Sequence, residues 1–383
     1  MSYLQNVVDL LRRRAYFSSR LNWDEWTERA RSVAATTPSP RDCYPLIQEM
    51  VAALGDNHSF FIGAEQRGQE GPGGAPLGFG AFVLSPEFVV IELFPGSPAD
   101  RAGVRRGDYI EWVNGTPPQP SGSRRLVFDP QQPVQLRLRR GGQTLDVTMQ
   151  AAPIEHAPLP HGRDLGDGIA YLELFVQGNP AEAQRYIDAS QQVLHDHATA
   201  RAWIVDLRCD RGGNMWPMLA GAGPLMGEGL LGMFVDADGS QTRWFYQAGA
   251  AAYQRAGMDA PQEHMRASLP AAPRDPQTTP VAVLTSEFTG SSGEMTLIAF
   301  RGRPNTRTFG ATTSGEITGV AMHELDDGAL LGIAESVAAD RTGHIYYEAI
   351  APDEPVAVDW LRYAGNDDPV IAAARRWLNE RGG

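Results

Sequence analysis

Two hydroxyls, one imidazole and a pair of glycines are the groups in this chain best placed to do chemistry. The serines sit in Thr285-Ser-Glu-Phe-Thr-Gly-Ser-Ser-Gly-Glu294, the histidine in Leu54-Gly-Asp-Asn-His-Ser59 and the glycines in Asp206-Leu-Arg-Cys-Asp-Arg-Gly-Gly213. A serine nucleophile, a histidine base and backbone N–H donors make an acyl-transfer site, and they need only meet in space. Ser291 follows the apolar run 281–284 and opens a helix. There, free N–H groups and the positive end of the helix dipole would stabilise charge on a substrate oxygen. Ser291 with Glu294 three residues on is also a capping box, a purely structural device. His58 lies just past an apolar helix that Gly55 would end, and histidine titrates near neutrality. Asp56 and Asn57 could orient its ring, and Phe60 and Phe61 could shield it; a solvated loop histidine is the bland alternative. Gly212 and Gly213 would let a backbone N–H approach a substrate, or simply turn the chain between a strand and a helix.

The elements that must position these groups fall into three stretches. Residues 1–66 read as a helical region, with apolar residues at helical spacing through Val7, Leu11, Ile47, Val51 and Leu54. Residues 67–75 are glycine-rich and read as a linker. Residues 72–152 form a β unit, with short apolar strands and a hairpin signal at Gly141-Gly142. Residues 153–383 alternate strand and helix, which argues for a layered α/β core. Within it, 215–226 reads as a helix interrupted by prolines and glycines, and 261–279 as a polar surface loop.

Composition bounds the answer. A chain of 383 residues suggests two or three domains. A net charge of −13 argues against nucleic acid and anionic membranes as partners. Cys43 and Cys209 make no framework, so two reduced thiols is the plainer reading. No metal-ligand spacing, P-loop or dinucleotide fingerprint competes with the serine reading. No apolar run is long enough to span a bilayer. No signal peptide is evident at the start, so the chain reads as cytoplasmic, or extracytoplasmic if a signal has been removed.

The β unit resembles a PDZ domain. Leu77, Gly78, Phe79 and Gly80 look like its carboxylate-binding loop, and Gly96-Ser-Pro-Ala-Asp-Arg-Ala-Gly-Val-Arg-Arg-Gly-Asp108 resembles its most specific motif. Such a domain would add a peptide strand to its sheet and take a free C-terminus. The three patches together resemble the C-terminal processing peptidase superfamily, which includes the tricorn core protease. The order matches: helical region, PDZ domain, then a core related to the crotonase and caseinolytic-protease folds. Asp206 to Gly213 resembles the family's D-L-R-x-N-x-G-G, and Gly290 to Glu294 its S-A-S-x-[SG]-[ED]. Thr308-Phe-Gly310 and Ala351-Pro-Asp353 resemble its T-F-G and x-P-D.

That resemblance implies roles. Ser291 would be the nucleophile, with Ser292 and Gly212 or Gly213 as oxyanion donors. Lysine-dependent members carry their base directly after T-F-G, where this chain has Ala311. The tricorn-like branch takes a histidine from S-H-S, matched here by Asn57 and His58, with Glu348 the nearest candidate for a further acidic residue. Cys209 stands where a small or polar residue is usual. The expected function is cleavage of peptides or of protein C-terminal regions, with no cofactor; homo-oligomerisation stays open. Two other readings survive: an inactive relative that binds an apolar ligand or peptide, and a scaffold working through the PDZ unit.

Overall fold

The computed structural model describes residues 3–36, 39–66, 77–84, 88–118, 131–154, 158–271 and 278–381. The expected linker at 67–75 lies outside the described residues. The organising element is a sheet in which Glu354–Pro355, Thr306–Gly310, Val281–Thr285, Ala202–Asp206 and Ile169–Glu173 run parallel in that order. His161–Asp164 adds an antiparallel edge. The three central strands are buried at every position and apolar up to their last residue, because both faces are covered. Ala170, Leu172, Trp203, Val205, Val281 and Val283 face one core. Ile169, Tyr171, Ile204, Ala282 and Leu284 face the other, under the C-terminal helix Pro369–Glu380. Strand alternation thus sorts one apolar run into two layers.

The first core also takes the helices Ala183–Asp196, Met215–Met226 and Ser292–Phe300, and beyond them Leu231, Trp244 and Ala338 of a second sheet. This mixed-order sheet is antiparallel and centres on the long strand Leu330–Asp340. Two expectations change here. Met215–Met226 is one unbroken helix. Pro217 lies in its first turn, where no N–H is needed, and a Cβ at Gly223 would stand 2.1 Å from the Tyr246 ring, so the glycine permits close packing. Gln262–Arg266, expected in a loop, is an edge strand paired with Ala250–Arg255. Both its faces are largely exposed, so its polar composition conceals it.

The helices Tyr3–Arg14, Trp23–Thr36 and Tyr44–Leu54 hold the N-terminal stretch. The helical reading of 1–66 does not hold to its end: Phe60–Ile62 is a strand, pairing Phe60 with Gly332 and Ile62 with Leu330. The apolar faces of the first and third helices close over Leu331 and Ile333, so this stretch shares a core with the second sheet.

The β unit is a five-stranded antiparallel sheet, Ala81–Leu84, Val89–Leu93, Tyr109–Val113, Val134–Arg140 and Gln143–Met149, with Ala81–Leu84 at one edge. The hairpin falls at Gly141-Gly142 as expected. Val89 and Ile91 pack with Phe175, Cys209, Phe288 and Tyr363 of the α/β core. Beside this apolar contact lies a buried ionic one. Arg106 pairs with Glu92 and stands 3.8 Å from Glu173, which is 1% exposed and also meets His161 at 3.3 Å. Among the described residues no helix is long and apolar enough to cross a membrane.

Removing the cation from this cluster leaves two buried carboxylates short of a partner. Arg106→Met should therefore destabilise the chain by about 3 kcal/mol in a urea titration. A loss below about 0.5 kcal/mol would mean the apolar contact alone holds the interface.

Candidate active site

Parallel strands deliver their following loops to one edge of a sheet. Asp206 is in register with Leu284, so the loops after both strands start side by side. Ser286 Oγ donates to Arg208 O at 2.6 Å and Thr289 Oγ1 to Leu207 O at 2.9 Å, tying the loops together. Arg208 is fully buried and salt-bridged to Asp206 at 2.6 Å and Asp368 at 2.8 Å, which fixes where the loop after Ala202–Asp206 leaves the sheet.

Ser291 is the N-cap of the helix Ser292–Phe300 and has φ 50° and ψ −120°. A non-glycine residue there is strained by about 1–3 kcal/mol and persists only when its surroundings hold it. Glu294 does so: its Oε2 accepts the Ser291 N–H at 3.1 Å. Its Oε1 accepts from Thr313 Oγ1 at 2.5 Å and from Gly315 N–H at 3.0 Å. Burial pushes the Glu294 carboxyl up to about 7, against these three donors. The cap and the chemistry are thus not rivals, since Glu294 holds the backbone while the Ser291 hydroxyl faces elsewhere.

It faces His58. Gly55, at φ 66°, ends the third helix, and Asp56 Oδ1 accepts the N–H groups of His58 at 2.9 Å and Ser59 at 2.6 Å. The imidazole Nε2 lies 3.1 Å from Ser291 Oγ, and Nδ1 lies 2.8 Å from Thr318 Oγ1. With the proton on Nδ1 donated to Thr318, Nε2 is free to accept from Ser291. Burial lowers the pKa of His58, with the Asp56 charge opposing.

The remaining candidates separate. Gly212 and Gly213, at φ 103° and 101°, occupy backbone that side chains rarely adopt. A Cβ on Gly212 would lie 2.6 Å from Ser291 Cβ, and one on Gly213 would lie 2.2 Å from Gln177 O. The Gly212 N–H donates to Asp210 Oδ1 at 3.0 Å. Ser292 Oγ donates to Gly213 O at 2.7 Å, a structural task for its hydroxyl. Gly213, Ser291, Ser292, His58 and Thr318 line one cavity of about 410 Å³, whose apolar wall includes Met215, Trp216, Phe234, Met295 and Val320.

Asn57 is exposed with φ 51° and is not a lining residue of that cavity; Asp56 is what shapes the loop. Glu348 is exposed in a separate hollow with Arg301, His344 and Tyr347, so the ring's second partner is Thr318 instead. Thr318 carried no sequence signal, because strand pairing alone brings it to the ring: it opens Thr318–Glu324, paired with the same long strand that holds Phe60–Ile62. Leu77–Gly78 pairs with Ala152–Pro153, and the carbonyls of Phe79 and Gly80 accept from Ala99 and Phe94. Ala311 bonds back to Thr285, and Thr308 is gripped by Asp353, so the T-F-G and P-D segments adjoin. One signal was open to simple counting. All 33 basic residues are arginine, so a Ser–Lys dyad cannot form anywhere in this sequence.

Among the described residues, Glu92, Glu173 and Cys209 are close enough to share a metal ion. Arg106 already pairs with Glu92 and stands near Glu173, and burial pushes the Cys209 thiol well up, which opposes the thiolate a metal needs. Cys43 and Cys209 are both buried, and no disulfide joins them.

Comparison with known proteins agrees with the fold. Residues 168–356 match peptidase family S41. The nisin-resistance protein of Lactococcus lactis subsp. lactis is 31% identical over 192 residues, 48% of this chain and 57% of that protein. Carboxyl-terminal-processing peptidase 2, chloroplastic, of Arabidopsis thaliana is 24% identical over 369 residues, 90% of this chain and 66% of that protein. The chain thus spans 57% and 66% of the lengths of these two relatives. Among solved structures, the photosystem II D1 C-terminal processing protease superposes with TM-score 0.59 at 17% identity, covering 95% of this chain and 94% of that one. The tricorn protease superposes with TM-score 0.51 at 17% identity, covering 100% of this chain and 37% of that one. Residues 168–356 thus resemble peptidase family S41, and the chain shares the fold of the C-terminal processing and tricorn proteases.

Glutamine at position 294 keeps the shape but turns one acceptor into a donor facing backbone N–H. Glu294→Gln should cost about 1–3 kcal/mol of stability. The Glu294 pKa is raised from 4.5, so its stabilising contribution is full below that value and lost as pH rises through about 7. Urea titrations should show the gap between wild type and variant shrinking between pH 5 and pH 8. A gap that widens would mean the three donors outweigh burial.

Proposed function

We propose that this chain is a serine-type peptidase that cleaves peptides or the C-terminal regions of proteins through a Ser–His site. One observation carries the reading: Ser291 Oγ stands 3.1 Å from His58 Nε2 in a chain without lysine. Ser291 attacks the scissile carbonyl. His58 takes its proton at Nε2 and returns it to the leaving amine, with Nδ1 steadied by Thr318. The hydroxyl of Thr318 is a neutral partner, so it fixes the tautomer while adding little charge stabilisation to the imidazolium.

Gly213 and Ser292 are the oxyanion donors in this reading. Gly212 drops out because its N–H is already given to Asp210, whereas Gly213 and Ser292 line the cavity beside Ser291. The five-stranded sheet acts as a PDZ unit. Its edge strand Ala81–Leu84 is where an extended peptide would add, and the loop 77–80 precedes it, with Gly80 at φ 69°.

Two measurements test this. Ser291→Ala should abolish turnover of a peptide library while circular dichroism stays unchanged, and Ser292→Ala should retain part of it. The reverse pattern would shift the nucleophile by one residue. For the PDZ unit, full-length Ser291→Ala protein should bind an acid-ended peptide about ten-fold or more tightly than its amide, because the charge-assisted bonds to the carboxylate are lost. Equal affinities would make the sheet a lid without a tail-binding role.

A further inference from the structure

Between the two loops that build the site lies a carboxyl group that the proposed mechanism does not use. Asp210 is fully buried. Its backbone joins both loops: its N–H donates to Leu207 O at 2.9 Å, and its carbonyl accepts the Gly290 N–H at 3.0 Å, one residue before Ser291. Its carboxyl lies under the start of the helix, where a Cβ on Gly293 would stand 3.1 Å from Asp210 Cγ. Oδ1 accepts the Gly212 N–H at 3.0 Å, and Oδ2 is buried with no partner among the described residues.

We propose that Asp210 is a positioning residue that works as a neutral carboxylic acid: through Gly212 it sets the loop carrying the Gly213 N–H, and its ionisation at alkaline pH shuts the site. This rests on the serine-peptidase reading.

The argument is one of compensation. Every other carboxylate buried in this part of the core has a cation or several donors. Asp206 has Arg208, Glu173 has Arg106 and His161, and Asp368 has Arg208 with three backbone N–H groups. Asp210 has a single N–H. The titratable group facing it is Tyr186, from the helix Ala183–Asp196, and that hydroxyl is committed to Phe175 O at 2.9 Å. Glu294, on the same first turn, spends its carboxyl on Ser291, Thr313 and Gly315. Arg211, next in the chain, lies over the Phe82 and Phe288 rings. The positive end of the helix dipole favours the charged form, but no helical N–H bonds Oδ2 and desolvation is the larger effect. Burial accordingly pushes the Asp210 carboxyl well above the usual range, with only the Gly212 N–H opposing.

Neutrality matters because of where the group sits. The bond to Gly212 withholds that N–H from substrate and presents the next one. A negative charge here would oppose the negative charge that develops on the substrate oxygen in the transition state. Activity should then be bell-shaped, with an acid limb from His58 and an alkaline limb from Asp210.

The test is kcat/KM against pH for wild type and Asp210→Asn, with circular dichroism confirming that each is folded throughout. Wild type should lose about ten-fold per pH unit on its alkaline side, and Asp210→Asn should keep the acid limb and lose the alkaline one. An alkaline limb unchanged in Asp210→Asn overturns the proposal, as does a wild-type profile flat to pH 10. A second readout needs neither turnover nor the variant: the assigned Asp210 carboxyl carbon resonance of wild-type protein labelled at aspartate. A carboxyl still protonated at pH 8 supports the proposal, and one ionised by pH 6 overturns it. A protonated Asp210 in a chain that cleaves nothing would sink the peptidase reading alone.

Discussion

One backbone angle organises the site. Ser291 enters its helix with φ 50°, a conformation a serine holds only under constraint. The constraints come from three directions. Glu294 accepts its N–H from within the helix, Asp210 anchors Gly290 from the neighbouring loop, and Gly212 presses against its Cβ where no side chain would fit. The last two depend on the parallel register of Ala202–Asp206 with Val281–Thr285. A slip of one residue there would exchange the side chains facing the two cores and part the loops.

The proposed base comes from elsewhere. His58 belongs to the second sheet, by way of Phe60–Ile62 on the long strand Leu330–Asp340, and Thr318 reaches it from another strand on that same one. The site is therefore a seam between two sheets, and the N-terminal helices bear on it because they pack against Leu331 and Ile333. The β unit touches the same region from the other side, through Val89 and Ile91 against Phe288 and Cys209, residues of the two site loops.

Much of this was legible in the sequence, for identifiable reasons. The parallel strands showed as apolar runs because both faces are buried, and the Ser291 turn showed because a strand, a glycine and a capping pair adjoin in the chain. What did not show depends on long-range pairing. Gln262–Arg266 has no buried face to betray it, and Phe60–Ile62 is too short to declare itself against a helical background. Thr318 is one threonine among many until a strand brings it to His58. Glu348 lies close to Pro352 and Asp353 in the sequence, yet the chain carries it out to an exposed hollow. The missing lysine needed no structure at all.

The central claim is that His58 activates Ser291. It is tested most directly by reaction with a serine-directed fluorophosphonate, located by mass spectrometry and followed against pH. The account predicts modification at Ser291, a rate that falls as pH drops through the lowered pKa of His58, below its usual 6.5, and loss of reaction in His58→Ala. Modification at Ser292, a rate indifferent to His58, or no reaction of the folded chain would contradict it.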